Sequence, residues 1–322
     1  MRHIEELLFN HGLKFDKNVE YTVAIIEGDQ IIATGSFEGR VIKCLVVDQK
    51  YRGMGLSNRI IGALMHEEYR RGNFHLFIFT KPQNQKYFQG IGFNKVAEVP
   101  DSVVLLENVS DGMQTYLHEL SKTRRKGAII GSIVVICDPF TLAHKYIIEK
   151  ASKECDYLHV FVLSDDKSVF PFNTRFELIK KGIDQFQNVI MHQGGDYIIP
   201  NTTFPTYFFK DTLEAVKAHV LLTEKIFSEY IAPVLGINKR FVGEANDDFT
   251  DLYHTIIKKQ LPSLGIEVEE ISKYKVAGEA VSTFKVRELI KGGRLSEVKK
   301  LVPETTYDFL RSEEAKKFVC RV

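Results

Sequence analysis

The sequence contains little cysteine and almost no net charge, and each scarcity argues against a class of protein. Its 322 residues include four cysteines, which are scattered without the spacing of a metal site or a disulfide framework. This usage is typical of a protein of the reducing cytoplasm. The 43 basic and 42 acidic side chains leave a formal net charge of +1, so no global field attracts nucleic acid or an anionic membrane.

Long apolar runs are also missing. No stretch approaches the roughly 20 apolar residues of a membrane span, and the N-terminal stretch MRHIEELLFNHGLKFD has acids where a secretory signal needs an apolar segment. We therefore expect a cytoplasmic protein with no membrane partner. An apolar content of 44% is ordinary for globular proteins, and 322 residues are enough for two domains.

The first part of the chain predicts an α+β domain that ends near residue 110. Short runs of β-branched and aliphatic residues, separated by turn residues, surround one long helical pattern. Strands are predicted at Tyr21–Glu27, Ile31–Phe37, Val41–Val47, Phe74–Phe79, Lys95–Val99 and Val103–Leu106, with helices at Leu56–Arg70 and Asn84–Gln89.

A basic polar stretch, Ser121–Gly127, separates this domain from a second one with a different pattern, and we place the domains at 1–122 and 123–322. Strands now alternate with helices, which predicts an α/β fold with a parallel sheet covered on both faces. Strands are predicted at Ala128–Ile136, Tyr157–Leu163, Val189–His192, Arg240–Gly243 and Ile266–Ile271, with helices at Leu142–Ser152, Thr174–Phe186, Asp211–Ile231, Asp248–Gln260 and after Thr283.

A glycine-rich turn between a strand and a helix is the first candidate site. In Leu45–Ser57, two glycines precede a helix N-terminus, so consecutive backbone N–H groups can face one anion such as a pyrophosphate. Arg52 and Arg59 add positive charge. The alternative is a simple connection between strand and helix.

The spacing Arg52-x-x-Gly55-x-Ser57, followed by Gly90-Ile-Gly-Phe93, resembles the GNAT N-acetyltransferase family. The resemblance implies a GNAT-like domain whose cradle holds the pyrophosphate of coenzyme A or a phosphopantetheine-type group. The residues it implies are Val47, Arg52, Gly53, Gly55 and Ser57.

One departure bears on the activity of this domain. The family often has a tyrosine as general acid four residues before the Gly-Phe pair, and Phe88 occupies that position here. Binding is therefore favoured over catalysis, although the neighbouring Tyr87 leaves catalysis open.

The second candidate site lies in Cys137-Asp-Pro-Phe-Thr-Leu-Ala-His144, directly after an apolar strand. Thr141 and His144 are three residues apart, so both can face one ligand from the first turn of a helix. The stretch resembles the signature of the cytidylyltransferase-like nucleotidyltransferases, with Ala143 in place of a glycine. The resemblance implies a Rossmann-like domain in which Asp138, Pro139 and Phe140 lie against the nucleotide.

A second half-site is predicted far downstream, in Ala280-Val-Ser-Thr-Phe-Lys-Val-Arg287. Ser282 is expected to cap a helix. The resemblance implies that Ser282, Thr283, Lys285 and Arg287 hold the β- and γ-phosphates of ATP. The alternatives are a plain cap for Ser282 and a solvated helix face for Arg287.

Longer stretches resemble the citrate lyase ligase family, and the order of the two domains agrees with it. They are Asp196–Asp211, Tyr230–Ile237 and Arg240–Glu244. The resemblance implies that acetate and ATP form acetyl-adenylate, and that the thiol of the prosthetic group on the citrate lyase acyl-carrier subunit then takes the acetyl group and releases AMP.

The same resemblance implies roles for single residues. His144, Thr141 and Lys145 would act on the α-phosphate, and Mg²⁺ would neutralise the triphosphate, oriented by Asp138 or Glu244 unless these are a cap or a surface charge. No set of protein residues predicts a metal site by itself. The coenzyme A-like prosthetic group would lie in the N-terminal cradle.

Several points stay open at the level of the sequence. Arg175 either contacts a phosphate or pairs with Glu149 or another acid, and Tyr207–Phe209 is expected to be core or wall. Two other functions use the same motifs: a nucleotidyltransferase that makes a stable nucleotide conjugate, and a non-catalytic sensor of nucleotide or coenzyme A.

Overall fold

The computed structural model describes residues 2–164, 167–245 and 247–319. Packing divides the chain into two compact units, one of Met1–Thr115 and Phe204–Lys225, the other of Tyr116–Thr203 and Ile226–Val322. The domain limits 1–122 and 123–322 stay a prediction. What the division adds is that a segment from the second half of the sequence packs with the first unit.

The first unit is built around a six-stranded sheet. Its elements are α1 (Arg2–Asn10), β1 (Tyr21–Glu27), β2 (Gln30–Glu38), β3 (Val41–Val47), α2 (Leu56–Arg70), β4 (Phe77–Thr80), α3 (Gln85–Gly90), β5 (Asn94–Val99) and β6 (Val103–Glu107). The strand order is β1-β2-β3-β4-β6-β5, and only β3 and β4 run parallel.

The core of this unit lies between the sheet and α2. Ile60, Leu64, Phe37 and Leu106 are almost completely buried in one cluster. A Cβ on Gly35 would approach Ile60 Cγ2 to 2.6 Å, so the missing side chain lets α2 pack directly on β2.

The second unit contains a five-stranded sheet in which every pair is parallel. From α4 (Gly112–Ser121) the chain continues through β7 (Ile130–Val135), α5 (Leu142–Lys153), β8 (Tyr157–Val162), α6 (Phe172–Gly182), β9 (Val189–Gln193), α8 (Ala232–Leu235), β10 (Lys239–Gly243), α9 (Asp248–Gln260) and β11 (Glu267–Ile271). Between β9 and α8 it forms α7 (Thr212–Ile226), which belongs to the first unit up to Lys225. The strand order is β11-β10-β7-β8-β9, with helices between successive strands, and the α/β fold class is confirmed.

The C-terminal part consists of a small hairpin and four helices: β12 (Lys275–Val276), β13 (Glu279–Ala280), α10 (Thr283–Lys291), α11 (Leu295–Val298), α12 (Glu304–Leu310) and α13 (Glu313–Val319). The apolar sides of these helices form a cluster around Phe170, Val286 and Val298. Across the described ranges, the helices are all too short or too polar to cross a membrane.

Several element limits differ from the sequence prediction. The strand predicted from Phe74 begins at Phe77, because Phe74 is 66% exposed and lies outside the sheet. The helix predicted for Thr174–Phe186 spans Phe172–Gly182. The helix predicted to Ile231 ends at Ile226 and continues as a π-helical turn, while α1 and the hairpin were not predicted.

Candidate functional site

The order of the parallel sheet places the expected nucleotide site at the carboxyl end of β7. From β7 the chain builds the sheet first on one side, through β8 and β9, and then on the other, through β10 and β11. Ligands of such sheets bind where the order reverses. The ladder of β7 with β10 consists of Gly131↔Lys239 and Ser132↔Arg240, so the two strands separate toward this end.

Thr141 and His144 form a reciprocal cap at the start of α5. The Thr141 hydroxyl accepts a hydrogen bond from the His144 backbone N–H, and the Thr141 backbone N–H donates to His144 Nδ1 at 3.1 Å. Since Nδ1 accepts, the proton of a neutral imidazole lies on Nε2. Burial lowers the pKa of His144 to about 4, so the ring is a neutral donor at pH 7.

The residues around His144 fix the ring and the turn before it. The Phe140 ring is fully buried and stacks on the imidazole with an interplanar angle of 12°. Pro139 follows a cis peptide bond. Ala143, which replaces the glycine of the motif, packs against the apolar cluster of Phe170 and Val286. Its methyl group therefore faces the protein interior.

Asp138 joins the two predicted half-sites. Its carboxylate is 2% exposed and accepts hydrogen bonds from the backbone N–H groups of Val169 (2.7 Å) and Phe170 (2.9 Å) and from the Arg287 guanidinium. Arg287 Nε also donates to the Asp138 carbonyl oxygen at 2.8 Å. Residues separated by 149 positions are thus in contact, and the start of α10 lies beside the turn after β7.

The start of α10 has the expected local structure. Ser282 is the N-cap and its hydroxyl accepts from the Lys285 backbone N–H at 3.2 Å, which confirms the predicted cap. Thr283 opens the helix. The Lys285 ammonium pairs with Glu279 on the preceding hairpin, and both side chains are solvent-accessible.

Two further predicted site residues, Arg175 and Lys145, form hydrogen bonds with other groups of the protein. Arg175 is fully buried, and its guanidinium donates to the carbonyl oxygens of Phe170, Ile136 and Leu163. Glu149, considered as a partner for it, pairs with Lys153. Lys145 Nζ donates a hydrogen bond of 3.0 Å to the side-chain oxygen of Gln185, in the amide orientation that satisfies both Gln185 atoms.

The glycine-rich turn borders a cavity of about 830 Å³ within the first unit. The ladder of β3 with β4 consists of Val41↔Phe77 and Ile42↔Ile78, and residues that follow these pairs on both strands line the cavity. A bulge at Cys44, with φ 53°, bends β3 at the same place. All five predicted cradle residues line this cavity: Val47, Arg52, Gly53, Gly55 and Ser57.

The turn has the backbone of an anion site. Gly53 and Gly55 adopt φ of 83° and 71°, which glycine reaches without strain, and Gly55 is the N-cap of α2. Arg52 and Lys81 supply cations to the lining. None of the described lining residues is an aspartate or a glutamate, so the cavity favours an anionic ligand. The sequence did not lead us to predict Lys81 as a lining residue, although its position directly after a strand could have indicated it.

Both aromatic residues that bear on catalysis line the cavity. Phe88 is 5% exposed and also packs in the core, and its side chain has no proton to give. Tyr87 lines the cavity, and its hydroxyl donates to Asn58 Oδ1 at 2.6 Å.

The segment Phe204–Lys225 supplies the remaining wall. Tyr207 and Phe208 line the cavity and are 8% and 7% exposed, which confirms that this aromatic run is core or wall. The Lys14 backbone N–H donates to the Tyr207 carbonyl oxygen at 2.9 Å and fastens the segment. No signal in the sequence indicated that residues so far downstream would complete this cavity.

Known proteins are similar to this chain over nearly its whole length. A family model described as the citrate lyase ligase C-terminal domain matches residues 130–310. The citrate (pro-3S)-lyase ligase of Haemophilus influenzae is 35% identical over 315 residues, 96% of this chain and 94% of the relative. The corresponding ligases of Klebsiella pneumoniae and Escherichia coli are 36% and 34% identical, over 95% and 97% of this chain and 91% and 90% of theirs.

Solved structures resemble one part of the chain each. Escherichia coli ElaA is similar to 27% of this chain and 67% of its own, with 14% identity and a TM-score of 0.26. Thermotoga maritima TmcAL, bound with alpha-thio ATP, is similar to 59% of this chain and 57% of its own, with 13% identity and a TM-score of 0.36.

Proposed function

This chain belongs to the citrate lyase ligase family, and we propose that it uses ATP to acetylate the citrate lyase acyl carrier through an acetyl-adenylate. As a member of that family it is an acid–thiol ligase. The observation that carries the two-step mechanism is the contact between Asp138 and Arg287, which unites the two half-sites at the carboxyl end of β7.

In the first step, a carboxylate oxygen of acetate attacks the α-phosphorus of ATP and pyrophosphate leaves. Negative charge gathers on the α-phosphate oxygens and on the departing pyrophosphate, so correctly placed donors stabilise the transition state. The cap formed with Thr141 leaves His144 Nε2–H as such a donor. Lys145, in the next position of the same helical turn, adds charge near the α-phosphate.

The pyrophosphate would be held at the start of α10. Ser282, Thr283 and the helix N-terminus offer hydroxyl and backbone donors, and Lys285 adds an ammonium. Glu279 is 71% exposed, so the triphosphate can displace it from Lys285 at little cost. Arg287 and Asp138 position the two segments relative to each other, and Arg175 performs the same task for the carbonyls around Phe170.

Magnesium would arrive with the nucleotide. Among the described residues no group of three or more metal-binding side chains converges, and Mg²⁺ is commonly held by phosphate oxygens and water with few carboxylates. When bound it neutralises charge on the triphosphate. Glu244 is already paired with Lys273, and the Asp138 carboxylate is occupied, so neither acts as an open ligand.

In the second step, the thiol of the carrier's prosthetic group takes the acetyl group and AMP leaves. The cavity of the first unit would bind this coenzyme A-like arm. The glycine turn with Arg52 would hold the pyrophosphate, and the arm would lie along β3, whose edge no longer pairs with β4 beyond Ile42. Phe88 cannot donate a proton and the Tyr87 hydroxyl already donates to Asn58, so we assign binding rather than catalysis to the cavity.

The decisive experiment measures pyrophosphate release from ATP and Mg²⁺ with acetate, with and without the deacetylated carrier. We expect acetate-dependent release whose sustained turnover requires the carrier. Pyrophosphate release that depends on neither acetate nor carrier would assign the chain to another nucleotidyltransferase reaction. ATP binding without any release would indicate a sensor.

A further inference from the structure

Some residues that line the cavity of the first unit are also exposed, and they mark where the cavity opens to solvent. Arg52, Gly53 and Gly55 of the glycine turn are among them, together with Asn58 on α2 and Tyr87 on α3. The Tyr87 hydroxyl donates to Asn58 Oδ1 at 2.6 Å, so the first turns of the two helices meet at this opening. An arm whose pyrophosphate lies at the glycine turn therefore joins its carrier outside the opening.

Three exposed side chains border this opening without lining the cavity. Met54 lies in the middle of the glycine turn and is 64% exposed. Arg59 and Lys86 are also exposed, and each is the direct neighbour of one of the two bonded residues, Asn58 and Tyr87. We call Met54, Arg59 and Lys86 the cationic rim.

The cations of the cationic rim are not neutralised by the protein. The two segments that contain the rim, 49–66 and 81–94, have no aspartate or glutamate. Throughout the part of the chain that the structure describes, neither the Arg59 guanidinium nor the Lys86 ammonium has a carboxylate partner. Both charges are therefore available to an acidic group from outside the chain.

The composition of the cationic rim suits a protein surface. Arginine and methionine are enriched in protein interfaces, and exposed charges of opposite sign steer association and help to select the partner. The phosphates of the arm have their own donors in Arg52 and the backbone of the glycine turn, which line the cavity. The rim is thus left for the protein that carries the arm.

We propose that the cationic rim docks the protein body of the acyl carrier through an acidic face of the carrier, while the carrier's arm passes into the opening. This inference rests on the proposed function, because the arm is what brings a protein to this place. Docking and arm binding reinforce each other, since each raises the effective concentration for the other. The rim holds the body of the carrier and not its thiol, so the arm remains free to leave the cavity for the second step.

The test compares the deacetylated carrier with free coenzyme A, which resembles the arm but has no protein body. For the full-length double variant Arg59→Gln, Lys86→Gln we expect kcat/KM for the carrier to fall about five- to tenfold. The fall should shrink at high salt, which screens exposed charges. The Kd for coenzyme A, measured by calorimetry, should stay within about twofold of the unmodified chain.

Met54→Gln tests the apolar part of the cationic rim. We expect it to lower kcat/KM for the carrier to an extent that depends little on salt, again without weakening coenzyme A.

The matched control is the double variant Lys50→Gln, Arg70→Gln, which removes the same charge from exposed positions of the same unit. Lys50 adjoins Tyr51, whose hydroxyl donates to the Glu27 carboxylate, and Arg70 pairs with Glu67 at 2.8 Å near the far end of α2. Because both cations have carboxylates nearby, we expect kcat/KM for the carrier to stay unchanged.

The outcomes separate docking from the arm site. Equal losses for the carrier and for coenzyme A would overturn docking, because they would assign Arg59 and Lys86 to the arm. An unchanged kcat/KM in the rim variant would overturn it as well. If coenzyme A does not bind the unmodified chain, the arm site fails, whereas a carrier-specific loss in the rim variant would still support docking.

A second measurement needs no variant. Carrier without its prosthetic group should inhibit turnover of the complete carrier competitively on the unmodified chain, and high salt should relieve the inhibition. Absence of inhibition at low salt would overturn the docking proposal.

Discussion

Both candidate sites lie where two parallel strands stop pairing, yet the structure uses the gap differently. In the first unit, β3 and β4 separate after Ile42↔Ile78 and leave a cavity of about 830 Å³. In the second, β7 and β10 separate after Ser132↔Arg240, and the Ile147 side chain would lie only 2.7 Å from a Cβ on Gly243. The first gap borders open volume, whereas in the second unit α5 packs closely against the end of β10.

The charged side chains of the two sites also differ, because those of the first site face open volume and those of the second are paired with each other. Arg52 and Lys81 face the cavity with no carboxylate among its described lining residues, so they are available to an anion. In the second unit Asp138 and Arg287 already satisfy each other. This contrast supports the proposal that the first site binds a long ligand by shape and charge, while the second holds a few donors in fixed positions, as an electrostatically assisted transfer requires.

The largest expected effect tests whether the second site is held by its own charges. Asp138→Ala removes the acceptor of two backbone N–H groups and leaves Arg287 without its carboxylate. We expect a loss of about 3–5 kcal/mol in the free energy of unfolding, measured by urea denaturation. Arg52→Ala in the first unit is the comparison and should change stability by less than about 0.5 kcal/mol. Equal stability of the two variants would remove the contrast between the sites.

The next effect concerns catalysis in the second unit. His144→Ala removes the neutral donor on Nε2, and we expect kcat for acetate-dependent pyrophosphate release to fall about 10²–10³-fold. The affinity for ATP should change much less, because the start of α10 is untouched. His118→Ala, an exposed histidine on α4, is the control. A fall in ATP affinity alone, with kcat preserved, would show that His144 only binds.

A smaller effect separates the two units. Arg52→Ala should raise KM for the carrier about tenfold, since it removes a cation from the cradle, while pyrophosphate release in the first turnover stays unchanged. Lys50→Ala is matched to it, because Lys50 is exposed, lies two residues away and does not line the cavity. If both variants behave like the unmodified chain, the carrier's arm is not held at the glycine turn.

Much of this architecture could be predicted from local patterns in the sequence. The alternation of strands and helices after Ile130, the cap at Ser282 and the glycine turn at Gly53 and Gly55 depend on residues near one another in sequence, where spacing reports geometry. Their physical requirements, such as positive φ or a hydroxyl before a helix, restrict the residue types.

Long-range contacts account for what could not be predicted. The bond between Asp138 and Arg287 joins positions 149 apart, and the return of Phe204–Lys225 to the first unit depends on aromatic packing that periodicity does not encode. Arg175 shows the same limit: an arginine at a helix start is compatible with a phosphate contact, but three buried carbonyl acceptors decide its position.

The smallest effect compares how the units respond to acid. In the second unit His159 on β8 and His192 on β9 stack, with 2.8 Å between Nδ1 and Nε2, and burial lowers their pKa values to about 4 and about 3. The unfolded chain binds protons near pH 6.5, whereas these folded rings stay neutral. The contribution of this pair to the free energy of unfolding is therefore fully present above about pH 6.5 and is lost as the pH drops toward 4.

In the first unit the buried Lys43 is instead paired with the carboxylates of Asp16 at 2.8 Å and Glu38 at 2.6 Å. Between pH 7 and pH 6 we expect the histidine pair to cost about 1 kcal/mol in the free energy of unfolding, measured in urea. The double variant His159→Phe, His192→Phe keeps the aromatic stack beside Phe161 and should lose most of this slope. An unchanged slope would place the acid sensitivity elsewhere, and the two units would then not differ in this respect.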